Sequence, residues 1–197
     1  TLLGMALTGK VMPYKKGFGP FPAEVYHAPF PKSFYDVTPE QALKGVRDLF
    51  ANDVDPARIA AIIIEPVQGE GGFYPAPAEF LKALRALCDE HGIVFIVDEI
   101  QTGFARTGKM FALEHAGVTA DIVTMAKGLA GGFPLSAVTA RADLMDKVHP
   151  GGLGGTYAGS PVALAASAAV LDVIEEEKLV ARAAEIGKIM TDRLTAM

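Results

Sequence analysis

"RIAAIIIEP" (residues 58–66) and "IVFIVDE" (residues 93–99) decide the fold. Each is a short apolar run, rich in β-branched residues, that ends on a charged side chain. Between them lies a glycine-rich loop, "VQGEGGFYPAP" (residues 67–77). Pro77 then opens a helix in which Phe80, Leu84, Leu87, Cys88 and His91 recur at helical spacing, and Gly92 ends it. Strand, helix and strand at this spacing form a βαβ unit, so the two strands are expected to be parallel. Their unbroken apolar character agrees, because parallel strands are covered on both faces. "DIVTMA" (residues 121–126) and "LSAVTA" (residues 135–140) read as further strands. The expected class is α/β, a mostly parallel sheet flanked by helices.

Upstream, residues 9–33 are rich in proline and glycine, with a short strand expected at "EVYHA" (residues 24–28). Thr38, Pro39 and Gln41 form a helix start: a hydroxyl cap, a proline at the first helical position and a capping-box glutamine. Leu43, Val46, Leu49 and Phe50 give that helix an apolar stripe, which Gly45 weakens by roughly 1 kcal/mol relative to alanine. Downstream of Ser160 the chain reads as helical. "VALAASAAVLDVI" (residues 162–174) is apolar nearly all round and is expected to pack on several sides. Leu179, Ala183, Ile186, Met190 and Leu194 form the stripe of a last helix. The apolar start and mid-helix end suggest the central part of a longer protein.

Half of the 197 residues are hydrophobic and 21% are charged, which suits a globular domain with a sizeable core. A net charge of −5 argues against bulk attraction to nucleic acid or to an anionic membrane. No apolar run is long enough to span a bilayer, and the first residues lack the pattern of a signal peptide. A single cysteine, Cys88, leaves no internal disulfide framework and fits a reducing cytoplasm.

Three apolar runs end on charge: at Glu65, at Asp98 and, in "TMAKGLAGGFPLS" (residues 124–136), at Lys127. Open α/β sheets bind ligands outside the carboxyl ends of their strands, so all three charges are expected along one functional edge. A lysine there can form a Schiff base, and pyridoxal phosphate chemistry also requires a carboxylate to keep the pyridine nitrogen protonated. The glycines beside Lys127 read as room for backbone close to a flat cofactor. "GGTYAGS" (residues 154–160), just ahead of a helix, offers hydroxyl and amide donors for a phosphate. "GFARTGKM" (residues 103–110) nearly matches a nucleotide-binding loop, but Met110 stands where a magnesium-binding hydroxyl is required.

"IIIEPVQGEGG", "FIVDEIQTGFARTGKMFALEH", "DIVTMAKGLAGGFPLSAV" and "GGLGGTYAGSPVALAA" together resemble the class III aminotransferases that use pyridoxal 5'-phosphate. "MALTGKVMPYKKGFGPFP" (residues 5–22) draws the likeness toward the 4-aminobutyrate type. The resemblance implies the large domain of the fold type I transferases, working as a homodimer or dimer of dimers on an amino donor and a 2-oxo acid. It implies that Lys127 is the Schiff-base lysine and the proton carrier, that Asp98 pairs with the pyridinium nitrogen, and that Ile100 lies against the ring. It further implies that Gln101 bonds the ring 3-hydroxyl and that Thr156 donates to the phosphate of the neighbouring subunit's cofactor. Glu70 is placed near the substrate. Glu65 is placed behind the site, holding its Asp98 side.

Some neighbours read as structural. Strand alternation turns Glu99 away from Asp98. Arg106 and Lys109 read as loop or interface ion pairs, and Cys88 as a packed helix residue. The four histidines show no metal-ligand spacing. An ornithine or acetylornithine aminotransferase, an inert core fragment of such an enzyme, and a nucleotide-binding protein are the alternatives.

Overall fold

The computed structural model describes residues 1–197. Its helices are α1 (Leu2–Leu7), α2 (Pro39–Asn52), α3 (Ala78–His91), α4 (Ala142–Met145), α5 (Pro161–Glu176) and α6 (Leu179–Thr195). Its strands are β1 (Ala61–Ile64), β2 (Val67–Gln68), β3 (Tyr74–Pro75), β4 (Val94–Asp98), β5 (Ile122–Met125) and β6 (Ala137–Ala140). The main sheet runs β1-β4-β5-β6. β1, β4 and β5 are parallel, with Ile64 beside Val97 and Asp98 beside Thr124. β6 returns antiparallel to β5.

The βαβ reading of residues 58–99 holds. α3 crosses from β1 to β4 and ends at Gly92, whose left-handed backbone (φ +66°) releases the chain into the strand. Phe80, Leu81, Leu84, Leu87 and Cys88 of α3 pack on Phe95 and Val97 of β4, with Ala42 and Val46 of α2 behind them. Burial pushes the Cys88 thiol up to about 11, so this sulfur is an inert packing group. The opposite face of β4 is only half-buried, in contrast to the two-sided cover expected of it. α5 packs chiefly on the turn at residues 127–130 rather than across the strands.

The capping box at Thr38 is formed in full. Thr38 Oγ1 accepts from the Gln41 amide at 3.2 Å, and Gln41 Oε1 accepts from the Thr38 amide at 2.8 Å. Gly45, within the same helix, has a packing reason that propensity alone hides. A Cβ there would stand 2.5 Å from Cδ of Pro29. Gly45→Ala is expected to destabilise the fold by about 1 kcal/mol in chemical denaturation, because overpacking against a rigid ring outweighs the gain in helix propensity. Net stabilisation would show that Pro29 moves aside freely.

Other expectations are corrected. Residues 24–28 form no strand; Glu24 adopts φ +61° and no neighbour pairs with the segment. The loop at residues 67–77 contains a small hairpin, β2 against β3, closed through positive φ at Gly72 and Phe73. α5 buries only Ala163, leaving Val162 60% and Leu164 50% exposed, and α6 buries no residue. No helix is long and apolar enough to cross a membrane.

At the sheet edge opposite the strand ends, Asp121 ties three segments together. Its carboxylate accepts from Arg85 Nη1, Arg141 Nη1 and the Phe95 amide, each at 2.7 Å. Burial raises the Asp121 pKa, but the amide and the two guanidinium groups outweigh it and hold the group below its ordinary value. The unfolded chain therefore takes up this proton first. The stability it contributes is present above about pH 4 and is lost as pH falls through the depressed folded value. Asp121→Asn is expected to flatten the acid limb of stability against pH in urea titrations. An unchanged slope would remove Asp121 from the acid response.

Candidate active site

Lys127 is positioned by a break in β5. After Met125 the chain turns through Ala126 (φ −163°, ψ −145°), and Lys127 takes φ +46° as it enters a single turn of 3-10 helix, Lys127–Ala130. A left-handed lysine costs of order 1–3 kcal/mol, which is strain placed at the end of the strand. Its Nζ donates to Gln101 Oε1 at 2.5 Å.

Gln101 is itself supported from the segment that follows β1. The carboxamide lies so close on Gly69 that a Cβ there would stand 2.6 Å from Oε1. The Gly69 amide in turn donates to Glu65 Oε2 at 2.7 Å. Glu65 thus bonds the segment under Gln101, and no hydrogen bond joins it to Asp98, the residue it was expected to support. The chain of contacts runs from Glu65 through Gly69 and Gln101 to Lys127.

Asp98, at the end of β4, is half-buried. Its Oδ1 accepts from the Ile100 amide at 2.9 Å, and Oδ2 remains uncommitted to any donor of the chain. Glu99 points the other way, as alternation requires, and is fully buried. It accepts from the Ala112 amide at 3.0 Å, the Leu113 amide at 2.8 Å and the Thr102 hydroxyl. Glu99 therefore pins the turn at residues 99–104 to the 3-10 turn Ala112–Ala116.

A cleft of about 550 Å³ brings Glu70, Ile100, Gln101 and Lys127 together, with Phe73, Arg106 and Thr107 on its walls. Asp98 does not line it. Thr156 is not brought there; it lies on an exposed loop beside Tyr157, which is 92% exposed. Ser160 makes no side-chain cap to α5. Gly128 lines the cleft, whereas Gly131 (φ +60°) serves the turn and faces Val170 of α5. That limits the expected backbone room beside the cofactor to Gly128.

Two contributions escape sequence reasoning. Tyr14 reaches in from the N-terminal loop, its hydroxyl donating to Glu70 Oε2 at 3.3 Å. The Glu70 charge, then slight burial, raises the Tyr14 pKa. Arg106 faces the cleft, and neither it nor Lys109 makes an ion pair within this chain, which leaves the interface pairing of the two expectations. Nothing in the sequence around Tyr14 or Arg106 marks these placements, since both depend on loops distant in sequence meeting at one cleft. The segment at residues 103–110 corrects the nucleotide-loop alternative. It begins within a turn, carries positive φ at Phe104, Ala105 and Gly108, and leads into a 3-10 turn, not from strand into helix.

Known proteins share this arrangement of sequence and fold. The sequence profile of the class-III aminotransferases matches residues 1–197. A 5-aminovalerate aminotransferase of Pseudomonas putida is 53% identical over 191 residues, covering 97% of this chain and 45% of its own length. A 4-aminobutyrate aminotransferase of Escherichia coli is 52% identical over 193 residues, covering 98% of this chain and 45% of its own. Among solved structures, a PLP-bound amine transaminase from an uncultivated Pseudomonas species superposes with a TM-score of 0.90 at 33% identity, covering 98% of this chain and 47% of that one. The ornithine aminotransferase of Toxoplasma gondii superposes with a TM-score of 0.83 at 36% identity, covering 98% and 42%. The chain thus spans a little under half the length of these relatives. With a match along all 197 residues and relatives at half identity, this chain belongs to the class-III aminotransferases.

Proposed function

We propose that this chain is the central part of the cofactor-binding large domain of an aminotransferase that moves an amino group from 4-aminobutyrate to 2-oxoglutarate, giving succinate semialdehyde and glutamate. The observation that carries the reading is Lys127, strained at the end of β5 and hydrogen-bonded to Gln101, with the Asp98 carboxylate at the end of the adjacent strand. An amine, a carboxylate with one uncommitted oxygen and a carboxamide beside an open cleft are the donor set that pyridoxal 5'-phosphate requires. When bound, that cofactor supplies an aldehyde for the amine and a ring that takes up electron density from the substrate carbon.

The residues then divide the work. Lys127 would hold the cofactor through its amine and, with that amine free, would be the base that carries the proton from the substrate carbon. Asp98 would keep the ring nitrogen protonated. Ile100 would bear on the ring face, and Gln101, with Gly69 and Glu65 behind it, would take the 3-hydroxyl. Glu70 faces the substrate with Tyr14 against its carboxylate. Thr156 would serve the phosphate of a neighbouring subunit's cofactor, in a working form that is a homodimer or a dimer of dimers. The exposed apolar side chains of α5 and α6 support that assembly. A cytoplasmic location agrees with the single, buried cysteine.

A second donor, 5-aminovalerate, is favoured by the 53% identical relative that bears its name. One methylene in an apolar pocket discriminates by about 10–200-fold, so the choice is measurable. The test is glutamate formation by the intact enzyme with 4-aminobutyrate, 5-aminovalerate, ornithine and acetylornithine. The highest kcat/KM is expected for 4-aminobutyrate. Preference for another donor replaces the substrate, and no glutamate from any donor overturns the reading.

A further inference from the structure

We infer that Thr124 is a positioning residue for the Asp98 carboxylate. Thr124 Oγ1 is a buried hydroxyl with no hydrogen-bond partner. A buried hydroxyl left unsatisfied is costly, so its retention in a strand of apolar neighbours calls for a physical cause. Two other buried atoms share that condition, Gln68 Oε1 and Arg85 Nε. The other nitrogens of Arg85 are engaged with Asp121 and Asp89. Gln68 belongs to the β2–β3 hairpin. Thr124 is the one of the three that is a hydroxyl paired in register with a strand-end carboxylate, Asp98, whose second oxygen has no donor.

The register supplies the geometry. Asp98 and Thr124 are paired residues of parallel neighbours, so their side chains leave the same face of the sheet with about 5 Å between strands. The Thr124 carbonyl accepts from the Glu99 amide at 3.0 Å, which locks the two strands together at this level. Ile100 N secures Asp98 Oδ1 alone, so the carboxylate still turns about that single anchor. The inferred contact is the one made when the Thr124 hydroxyl turns about χ1 toward the carboxylate across the paired strands. The hydroxyl then donates a second bond, fixes the plane of the group and leaves one lone pair directed at a ring nitrogen. The hydroxyl thereby finds its partner and the carboxylate its orientation.

This inference rests on the reading of Asp98 as the partner of the ring nitrogen. The test compares the intact enzyme with Thr124→Val, Thr124→Ser and Asp98→Asn, each first stripped of cofactor and then titrated with pyridoxal phosphate. Thr124→Val removes an orphaned hydroxyl at nearly constant volume, so the cofactor-free melting temperature is expected to stay level or rise. Its cofactor dissociation constant is expected to weaken roughly tenfold, the effect of one hydrogen bond to a charged group. The pH midpoint of the visible band is expected to move, and Thr124→Ser to restore both within about twofold of wild type. Unchanged affinity and midpoint in Thr124→Val would falsify the inference, as would equal losses of stability with and without cofactor. If Asp98→Asn also leaves affinity and midpoint unchanged, the Asp98 reading itself has failed. If Asp98→Asn alone disturbs them, only the role of Thr124 falls.

Discussion

Lys127→Ala is expected to lower turnover of the intact enzyme by at least about 10²–10⁴-fold, the range a positioned proton-transfer group contributes. The loss has two sources. The cleft offers one lysine amine, so no neighbour replaces Lys127 as nucleophile. Arg106, the other cation on its walls, remains protonated in proteins and cannot accept the proton. The fold should tolerate the change. The Lys127 side chain is exposed, its one hydrogen bond is to Gln101, and alanine inherits the same left-handed strain. Stability is therefore expected to move by less than about 1 kcal/mol. Glutamate formation and thermal unfolding measured on one preparation check both halves. Retained turnover refutes the assignment of Lys127.

Glu99→Ala is expected to act in the opposite sense, on the fold first. The substitution strands the buried Ala112 and Leu113 amides and the Thr102 hydroxyl, and opens a cavity where a fully buried side chain stood. Each unsatisfied buried donor costs about 1–3 kcal/mol, so a total loss of about 4 kcal/mol is expected in urea unfolding. Glu99→Gln keeps one acceptor oxygen and should lose about half as much. The turn at residues 99–104 carries Gln101, so Glu99→Ala should also weaken cofactor retention before the protein melts. A loss below about 1 kcal/mol would show that these donors find other partners.

The two residues differ in how each could be read. Asp98 and Glu99 are adjacent carboxylates, and strand alternation alone assigns one to the ligand edge and the other to the interior. Lys127, Asp98 and Glu65 were legible for the same reason: each terminates an apolar run, and parallel strands bring such ends to one edge. Glu70, Ile100, Gln101 and Thr156 were named by family resemblance, because a loop residue has no periodicity to betray its direction. The hairpin at β2–β3 was missed because its strands are two residues each, shorter than any alternating pattern.

The order and type of the central elements follow from the chain itself: β-branched runs, a capping box at Thr38, a glycine stop at Gly92. These are local forces acting within a few residues, so a sequence expresses them directly. What joins the elements was decided by tertiary structure. Pro29 against Gly45, Gly69 under Gln101, Tyr14 on Glu70, and Asp121 between Arg85 and Arg141 are contacts between residues 16 to 56 positions apart, or across adjoining loops. Their strength depends on ångström-scale proximity and burial, quantities that exist only after the sheet has closed.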